Sequence, residues 1–209
     1  MSAESEGLII ENSVLVSYGI CKDANVVIPQ GVIGIGDSAF FCCKKIKSIT
    51  IPESVKTIGA SAFGGCRNLT NVTIPNGVKV IGKRAFSDCK KLKSVNVPES
   101  VEAIGFVAFS RCKSLASVTI AEGVKTIGGY AFTGCKKLKS VSIPASVESI
   151  DIGAFSSCNN LEEVTIAEGV KSVNKRAFSD CKKLVNFTIP KSAQIVNKSF
   201  NDGRIESNV

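Results

Sequence analysis

The sequence predicts a mostly β solenoid made of stacked 23-residue units. Phenylalanine recurs at this interval over most of the chain, and a cysteine follows each of these phenylalanines three positions later. A unit this short cannot bury its apolar side alone, so each unit must be covered by the next one in the stack. The phenylalanines in register are Phe40, Phe63, Phe86, Phe109, Phe132, Phe155 and Phe178.

Each unit contains two predicted extended segments. After Phe86, Val95 and Val97 alternate with polar residues, which is the two-residue period of a strand. Pro98 ends this strand because proline has no amide hydrogen for the ladder. Residues 101–104 predict a second extended segment, which a glycine closes in most units, and we expect this glycine at a tight turn with positive φ. The closing residues are Gly36, Gly59, Gly82, Gly105 and Gly128, followed by Asp151, Asn174 and Asn197.

The two ends of the chain depart from the repeat. Residues 8–16 contain two short apolar runs around the polar turn Glu11-Asn12-Ser13, which predicts a hairpin that covers the open first end of the stack. At the other end, Phe200 follows Phe178 after 22 residues instead of 23, and the residues beyond it are polar. We therefore expect an N-terminal hairpin cap (residues 1–28), a solenoid (29–200) and a C-terminal tail (201–209).

A second period of 46 residues lies within the first. One position alternates strictly between glycine and serine, and Lys-Lys pairs recur in every second unit. Two explanations stay open, namely duplication of a pair of units and selection for a ligand whose spacing matches the pair. The alternating residues are Gly31, Ser54, Gly77, Ser100, Gly123, Ser146, Gly169 and Ser192.

The recurring pattern CxxLxxVxIPxxVxxIGxxAF resembles the BspA-like leucine-rich repeat over roughly residues 26–200. The resemblance implies an α/β-type leucine-rich-repeat solenoid, mostly β, that winds as a right-handed stack with a parallel sheet on one face and short strands or turns on the other. It also implies that the protein works by binding, since members of this family are often surface proteins or adhesins of mucosal microbes and not enzymes.

Composition removes most catalytic chemistry. The chain has no histidine, which excludes histidine-based triads, histidine general bases and HExxH zinc sites. Its nine cysteines are mostly in one column, where neighbours should lie about 4.8 Å apart, whereas a disulfide needs Cβ atoms about 3.8 Å apart. The sequence therefore predicts buried free thiols, no catalytic residue, no cofactor and no metal site.

The N-terminal residues carry neither a positively charged segment nor a long apolar core, and no stretch approaches the length of a membrane span. If Met1 is the native start, this predicts a cytoplasmic protein, which free cysteines would suit. The family resemblance points instead to the cell surface or to secretion, and both locations stay open. We expect a monomer.

Two variable positions between the closing residue and the next Ala-Phe pair form the first candidate binding surface. Along the stack they carry an apolar run that is flanked on both sides by a Lys-Arg pair, which is a composition typical of protein interfaces. An inward orientation of some of these side chains is the alternative. The candidate partner-binding residues are Lys83, Arg84, Phe106, Val107, Tyr130, Ile152, Lys175 and Arg176.

Lysines aligned near the start of the first strand form a second candidate, which we call the cationic ridge. With a net charge of +8, the chain favours an acidic partner. We expect a non-enzymatic protein-interaction scaffold with an acidic protein partner. The alternative is a surface adhesin for host matrix protein or anionic glycan, while specific nucleic-acid binding is not expected because aromatic side chains are missing from the ridge. The ridge comprises Lys44, Lys45, Lys47, Arg67, Lys90, Lys91, Lys93, Lys113, Lys136, Lys137, Lys139, Lys182 and Lys183.

Overall fold

The computed structural model describes residues 7–19 and 21–196, which form short β-strands and no helix. The mostly β prediction is confirmed, whereas the α/β-type label has no helix among these residues to support it. In chain order the strands are β1 (Leu8–Glu11), β2 (Val14–Tyr18), β3 (Asn25–Val27), β4 (Gly34–Ile35), β5 (Ser48–Thr50), β6 (Thr57–Ile58), β7 (Asn71–Val72), β8 (Val80–Ile81), β9 (Ser94–Val97), β10 (Ala103–Ile104), β11 (Ser117–Ile120), β12 (Thr126–Ile127), β13 (Ser140–Ile143), β14 (Ser149–Ile150), β15 (Glu163–Ile166), β16 (Ser172–Asn174), β17 (Asn186–Thr188) and β18 (Gln194–Val196).

Parallel strands lie on both faces of the solenoid. On one face, β1 and all the even-numbered strands form a ten-stranded sheet, in which only the β1–β2 pair is antiparallel. On the other face, the strands form three shorter parallel sheets, β3-β5-β7, β9-β11 and β13-β15-β17. Each strand pairs in register with the equivalent strand one unit away, as Ile104 does with Ile127 and Val95 with Val118. Strands of the same type therefore line up in parallel on each face. The right-handed sense of the stack stays a prediction.

A column of stacked phenylalanine rings forms the centre of the core. Consecutive rings from Phe40 to Phe178 have centroids 5.0–5.3 Å apart and planes within 12° of parallel. Beside them, each repeat cysteine from Cys66 to Cys181 contacts the phenylalanine of the preceding unit, as where Cys112 Sγ donates to the carbonyl oxygen of Phe86 at 3.2 Å. The shared phenylalanines and cysteines therefore hold neighbouring units together.

The closing glycines do not have positive φ, so that prediction is wrong. A methyl group on Gly105 would lie 2.6 Å from the carbonyl oxygen of Ile81, in the preceding unit. Glycine is needed there because the backbones of successive turns approach too closely for a side chain. Positive φ occurs two residues later instead, in the column Ser38, Ser61, Arg84, Val107, Tyr130 and Gly153.

The alternation of glycine and serine has a structural basis. The hydroxyl of Ser146 donates to the carbonyl oxygen of Val124 at 2.9 Å and accepts the N–H of Gly123 at 3.0 Å. Gly123 has φ of 116°, and a methyl group on it would collide with the carbonyl oxygen of Glu99. A serine unit thus bonds to the glycine unit before it, which gives the 46-residue period a structural role in the stack.

The first end of the stack carries a hairpin. Strands β1 and β2 are joined through Asn12 and Ser13, which have φ of 48° and 63°. Strand β2 then pairs in parallel with β4, with Leu15 opposite Ile35. The hairpin therefore forms the first edge of the ten-stranded sheet, with β1 as the outermost strand. The proposed domain boundaries stay predictions, and Phe200 and the tail 201–209 lie outside the described residues.

One cysteine pair departs from the expectation of free thiols. Cys21 and Cys43 form a disulfide, with Cα atoms 5.5 Å apart. The prediction is wrong for this pair because Cys21 lies outside the 23-residue register, so the strand-spacing argument does not apply to it. The remaining cysteines are free thiols: Cys42, Cys66, Cys89, Cys112, Cys135, Cys158 and Cys181.

Candidate partner-binding surface

Three side chains from successive turns form an exposed cluster, here called the aromatic patch, which comprises Phe106, Tyr130 and Ile152. They lie in the loop that connects each strand of the ten-stranded sheet to the next core phenylalanine. Hydrogen bonds between turns hold this loop, since Val107 N–H donates to the carbonyl oxygen of Gly129 at 2.9 Å and Tyr130 N–H donates to that of Ile152 at 2.8 Å. The patch is thus built on a backbone held from turn to turn.

Two side chains of the aromatic patch pack against each other, and the third lies next to Gly129. Phe106 and Tyr130 meet edge to face, with ring centroids 5.9 Å apart and an interplanar angle of 83°. A methyl group on Gly129 would lie 3.2 Å from Cδ2 of Phe106 and 3.3 Å from Cγ2 of Ile152. The ring of Tyr130 lies directly against Gly153, where a side chain would collide with it. The two glycines therefore provide the space in which their neighbours touch.

The patch combines exposed aromatic surface with a positive charge. Phe106 is 43% exposed and Tyr130 is 36% exposed, while Ile152 is half-buried. The Nζ atom of Lys83 lies 5.6 Å from the centroid of the Phe106 ring, within the range of a cation–π contact. Aromatic residues beside basic ones are the composition of binding hot spots.

The backbone of the patch is strained. Val107 and Tyr130 have φ of 62° and 57°, in the left-handed region that β-branched and bulky residues rarely adopt. Each such residue costs about 1–2 kcal/mol relative to an ordinary conformation. The same position has positive φ in every unit from Ser38 to Gly153, so the strain belongs to the repeated framework on which the patch is built.

The structure brings together part of the predicted set. Arg84 is exposed and shares the positive-φ column with the half-buried Val107. On the far side of the patch, Lys175 is half-buried and Arg176 is exposed, and Arg176 N–H donates to Oδ1 of Asn174 at 3.0 Å. Arg176 lacks the positive φ of Arg84, so the two Lys-Arg pairs are not equivalent. Phe106 contacts both Lys83 and Tyr130, and Ile152 lies next to Gly129 as Phe106 does.

Sequence reasoning missed Gly129 and Gly153, which complete the patch. The sequence does contain a signal for these glycines. From one unit to the next, glycine moves from the first of the two variable positions to the second, and a bulky residue occupies the other position. Phe106-Val107 is followed by Gly129-Tyr130 and then by Ile152-Gly153. Such an alternation lets each large side chain lie over a glycine in the adjacent turn.

The buried thiols are poor candidates for chemistry. Burial raises the pKa of the Cys66 thiol to about 12 and holds the pKa of the Cys112 thiol far above its ordinary value. These groups stay protonated at neutral pH and are inert as nucleophiles. Within residues 7–19 and 21–196, no group of three or more Cys, Asp or Glu side chains is arranged to hold a metal ion. None of the described segments is a helix long and apolar enough to cross a membrane.

The repeat pattern matches a known family. Residues 16–106 and 84–206 match the family model of the BspA type leucine rich repeat region, in six copies. The chain belongs to the BspA-type leucine-rich repeat family. The family resemblance of the repeated motif is thereby confirmed. No curated protein matches the sequence.

Solved structures of other leucine-rich repeat proteins resemble this BspA-type chain. A leucine-rich repeat protein of T. pallidum is 31% identical, with a TM-score of 0.78, over 85% of this chain and 86% of that one. One from Eubacterium ventriosum is 26% identical, with a TM-score of 0.69, over 81% of this chain and 56% of that one. A leucine rich cell surface protein of Faecalibacterium prausnitzii is 26% identical, with a TM-score of 0.56, over 83% of this chain and 60% of that one.

Proposed function

We propose that this BspA-type protein is a non-enzymatic protein-interaction scaffold whose aromatic patch contacts an acidic protein partner. The observation that carries the proposal is the packed, exposed contact of Phe106 with Tyr130, beside Lys83. Leucine-rich repeats present side chains at fixed intervals along a rigid stack, which is a common basis for binding. Catalysis is not part of the proposal because the chain has no histidine and its column thiols from Cys66 to Cys158 are buried.

The packing of the patch supports tight binding. Side chains that already touch one another lose little conformational freedom when a partner covers them, so more of the contact energy appears as affinity. Lys83 and Arg84 lie at the edge of the patch and are both exposed. Cations at the rim of an apolar contact favour and orient an acidic partner.

The test compares two aromatic residues in matched settings. Phe106 and Phe41 are both exposed, at 43% and 56%, and each ring lies beside a glycine of the next turn, Gly129 or Gly64. We expect Phe106→Ser to weaken capture of the partner by about 30-fold, as loss of a hot spot worth about 2 kcal/mol would. Phe41→Ser should leave capture unchanged.

The measurement is affinity capture with quantitative mass spectrometry, followed by a titration of the captured protein against both variants. Melting temperatures of the two variants are measured alongside to show that both are folded. Equal capture by wild type and Phe106→Ser would contradict the proposal, as would equal loss in both variants.

A surface adhesin for host matrix protein or anionic glycan is the second candidate function. Similarity to a protein of Faecalibacterium prausnitzii that is described as a leucine rich cell surface protein favours it, together with the exposed cationic ridge. We propose that either role is carried by a monomer, which sedimentation at several protein concentrations would test.

A further inference from the structure

The cationic ridge has a regular two-turn pattern. Three alternate units each contribute three lysines from the segment KKxK, and the two units between them contribute one cation each. The next unit contributes no cation, and the one after it contributes the pair Lys182 and Lys183. Each strand pairs with the equivalent strand of the next unit, so successive units lie about 4.8 Å apart. The lysine triads are therefore about 10 Å apart, and the first triad is about 19 Å from the third. The triads are Lys44, Lys45 and Lys47, then Lys90, Lys91 and Lys93, then Lys136, Lys137 and Lys139, and Arg67 and Lys113 lie between them.

The backbone under the ridge is held by the intervening units. The side-chain amide of Asn68 donates to the carbonyl oxygen of Lys44 at 2.7 Å, and that of Asn160 donates to the carbonyl oxygen of Lys136 at 2.7 Å. In the remaining interval, Ser114 N–H donates to the carbonyl oxygen of Lys90 at 3.1 Å. The spacing of the triads is therefore maintained by hydrogen bonds.

Acidic side chains lie mostly away from the ridge, apart from Asp88 beside it and the exposed Glu162 and Glu163 in the turn after the third triad. Glu102 lies 3.5 Å from Lys79 and Glu148 lies 3.1 Å from Lys171, both on the face of the ten-stranded sheet. Next to the ridge, Asp88 pairs with Arg111 at 3.4 Å. Four exposed glutamates lie at the opposite end of the second-face strands, namely Glu53, Glu99, Glu122 and Glu168. The ridge thus concentrates cations along one corner of the stack.

We infer that the cationic ridge binds a linear sulfated polysaccharide. This inference rests on the proposed binding function and assigns it a second surface, separate from the aromatic patch. A linear polyanion repeats its charge along one axis, and the ridge repeats its lysine triads along the axis of the stack. Binding of this kind is electrostatic and depends strongly on salt.

Other polyanions fit the ridge less well. Single-stranded nucleic acid is bound by cationic grooves with aromatic side chains that stack on the bases. Besides Lys and Arg, the ridge columns carry Asn, Ser, Thr, Ala, Glu and Val, and no aromatic residue. A second copy of the chain would have to present its acidic corner, where Glu122 already accepts the N–H groups of Ala145 and Ser146. A free polysaccharide sulfate needs no such rearrangement.

The decisive experiment compares two triple variants of equal charge. K45Q/K91Q/K137Q removes one lysine from each triad, whereas K56Q/K79Q/K125Q removes three exposed lysines from the ten-stranded face. Affinity for size-fractionated heparin oligosaccharides is measured at several salt concentrations. We expect the slope of log Kd against log salt to fall by about two to three units in the ridge variant and to stay unchanged in the control. Affinity should also rise with oligosaccharide length until the chain spans the ridge.

Three results would overturn the inference. An equal loss in both triple variants would mean that net charge alone attracts heparin. Equally tight binding of a single-stranded oligonucleotide through the ridge would favour nucleic acid. Salt-dependent self-association that the ridge variant loses, without any heparin binding, would favour a second copy. Phe106→Ser should retain full heparin binding. The heparin measurement therefore tests the proposal for the ridge independently of the proposal for the aromatic patch.

Discussion

Raising the pH from 7 to 10 is expected to destabilise the solenoid strongly through its buried thiols. Burial raises the pKa of Cys66 and Cys181 from the ordinary value of 9.0 to about 12. The pKa of Cys89, Cys112 and Cys135 is also raised, and burial is again the main cause. At pH 10 the folded protein keeps these protons whereas the unfolded chain releases them. The stabilisation is therefore complete below pH 9.0 and is lost as the pH rises towards 12.

The expected loss is large because the thiols act together. One pH unit above the ordinary pKa, ionisation favours the unfolded chain by about 1.4 kcal/mol for each thiol. The five thiols together therefore lower the free energy of unfolding by about 7 kcal/mol at pH 10, which is comparable with the total stability of a typical domain, roughly 5–15 kcal/mol.

Urea denaturation followed by circular dichroism at pH 7, 8, 9 and 10 measures this loss. The matched variant is Cys89→Ser/Cys112→Ser, since a hydroxyl can still donate to the carbonyl oxygens of Phe63 and Phe86 that the two thiols contact at 3.2 Å. We expect its loss between pH 7 and 10 to be about 3 kcal/mol smaller than that of the wild type. An equal decrease in the free energy of unfolding between pH 7 and 10 in both proteins would refute the reasoning, because groups other than these thiols would then cause the destabilisation.

Three further predictions concern the framework. Phe109→Leu removes two ring contacts, at 5.1 and 5.2 Å, and should lower the free energy of unfolding by about 1–3 kcal/mol in urea; no change would mean that the ring stack is not stabilising. Gly123→Ala should cost more than Gly31→Ala, because both glycines have positive φ but only a methyl at 123 meets the carbonyl oxygen of Glu99; equal melting temperatures would contradict this. Iodoacetamide at pH 8 should label the exposed Cys42 in the native protein before it labels any buried column thiol, as peptide mapping would show.

The core was predictable because one period governs it. Once Phe109 is placed inside, its six equivalents follow, and all of them are buried. The alternation of Val95 and Val97 with Ser94 and Asn96 likewise predicts which side chains of β9 face the core, and the structure agrees. Repetition turns one local inference into many, which is why the fold could be inferred without long-range information.

Glycine was the main source of error. A repeated glycine can reflect either a positive φ angle or a close approach of two backbones, and sequence alone does not distinguish them. Asp151 in the closing column suggested positive φ, because aspartate tolerates it. In the structure Asp151 instead accepts the N–H of Ile152 with its own Oδ1, at 2.6 Å. The close approach at Gly105 depends on how two turns nest, which no single unit encodes.

The candidate surface was predictable in position and not in geometry. Stacking by one unit places Phe106 and Tyr130 in adjacent turns, which the period alone implies. Their edge-to-face contact depends on side-chain rotamers and on the space left by Gly129. The disulfide of Cys21 was missed for the opposite reason, since that residue belongs to no column.

The bond between a serine unit and the glycine unit before it restricts how the solenoid can grow. Insertion of one unit would place two glycine units or two serine units together and disrupt the alternating contacts that Ser146 makes with Gly123 and Val124. Two units inserted together would preserve every such contact. The molecule can therefore be lengthened in steps of 46 residues, or about 10 Å, and a step copied from residues 86–131 would add one lysine triad to the ridge. Length, and with it the number of charges offered to a partner, is adjustable in discrete increments.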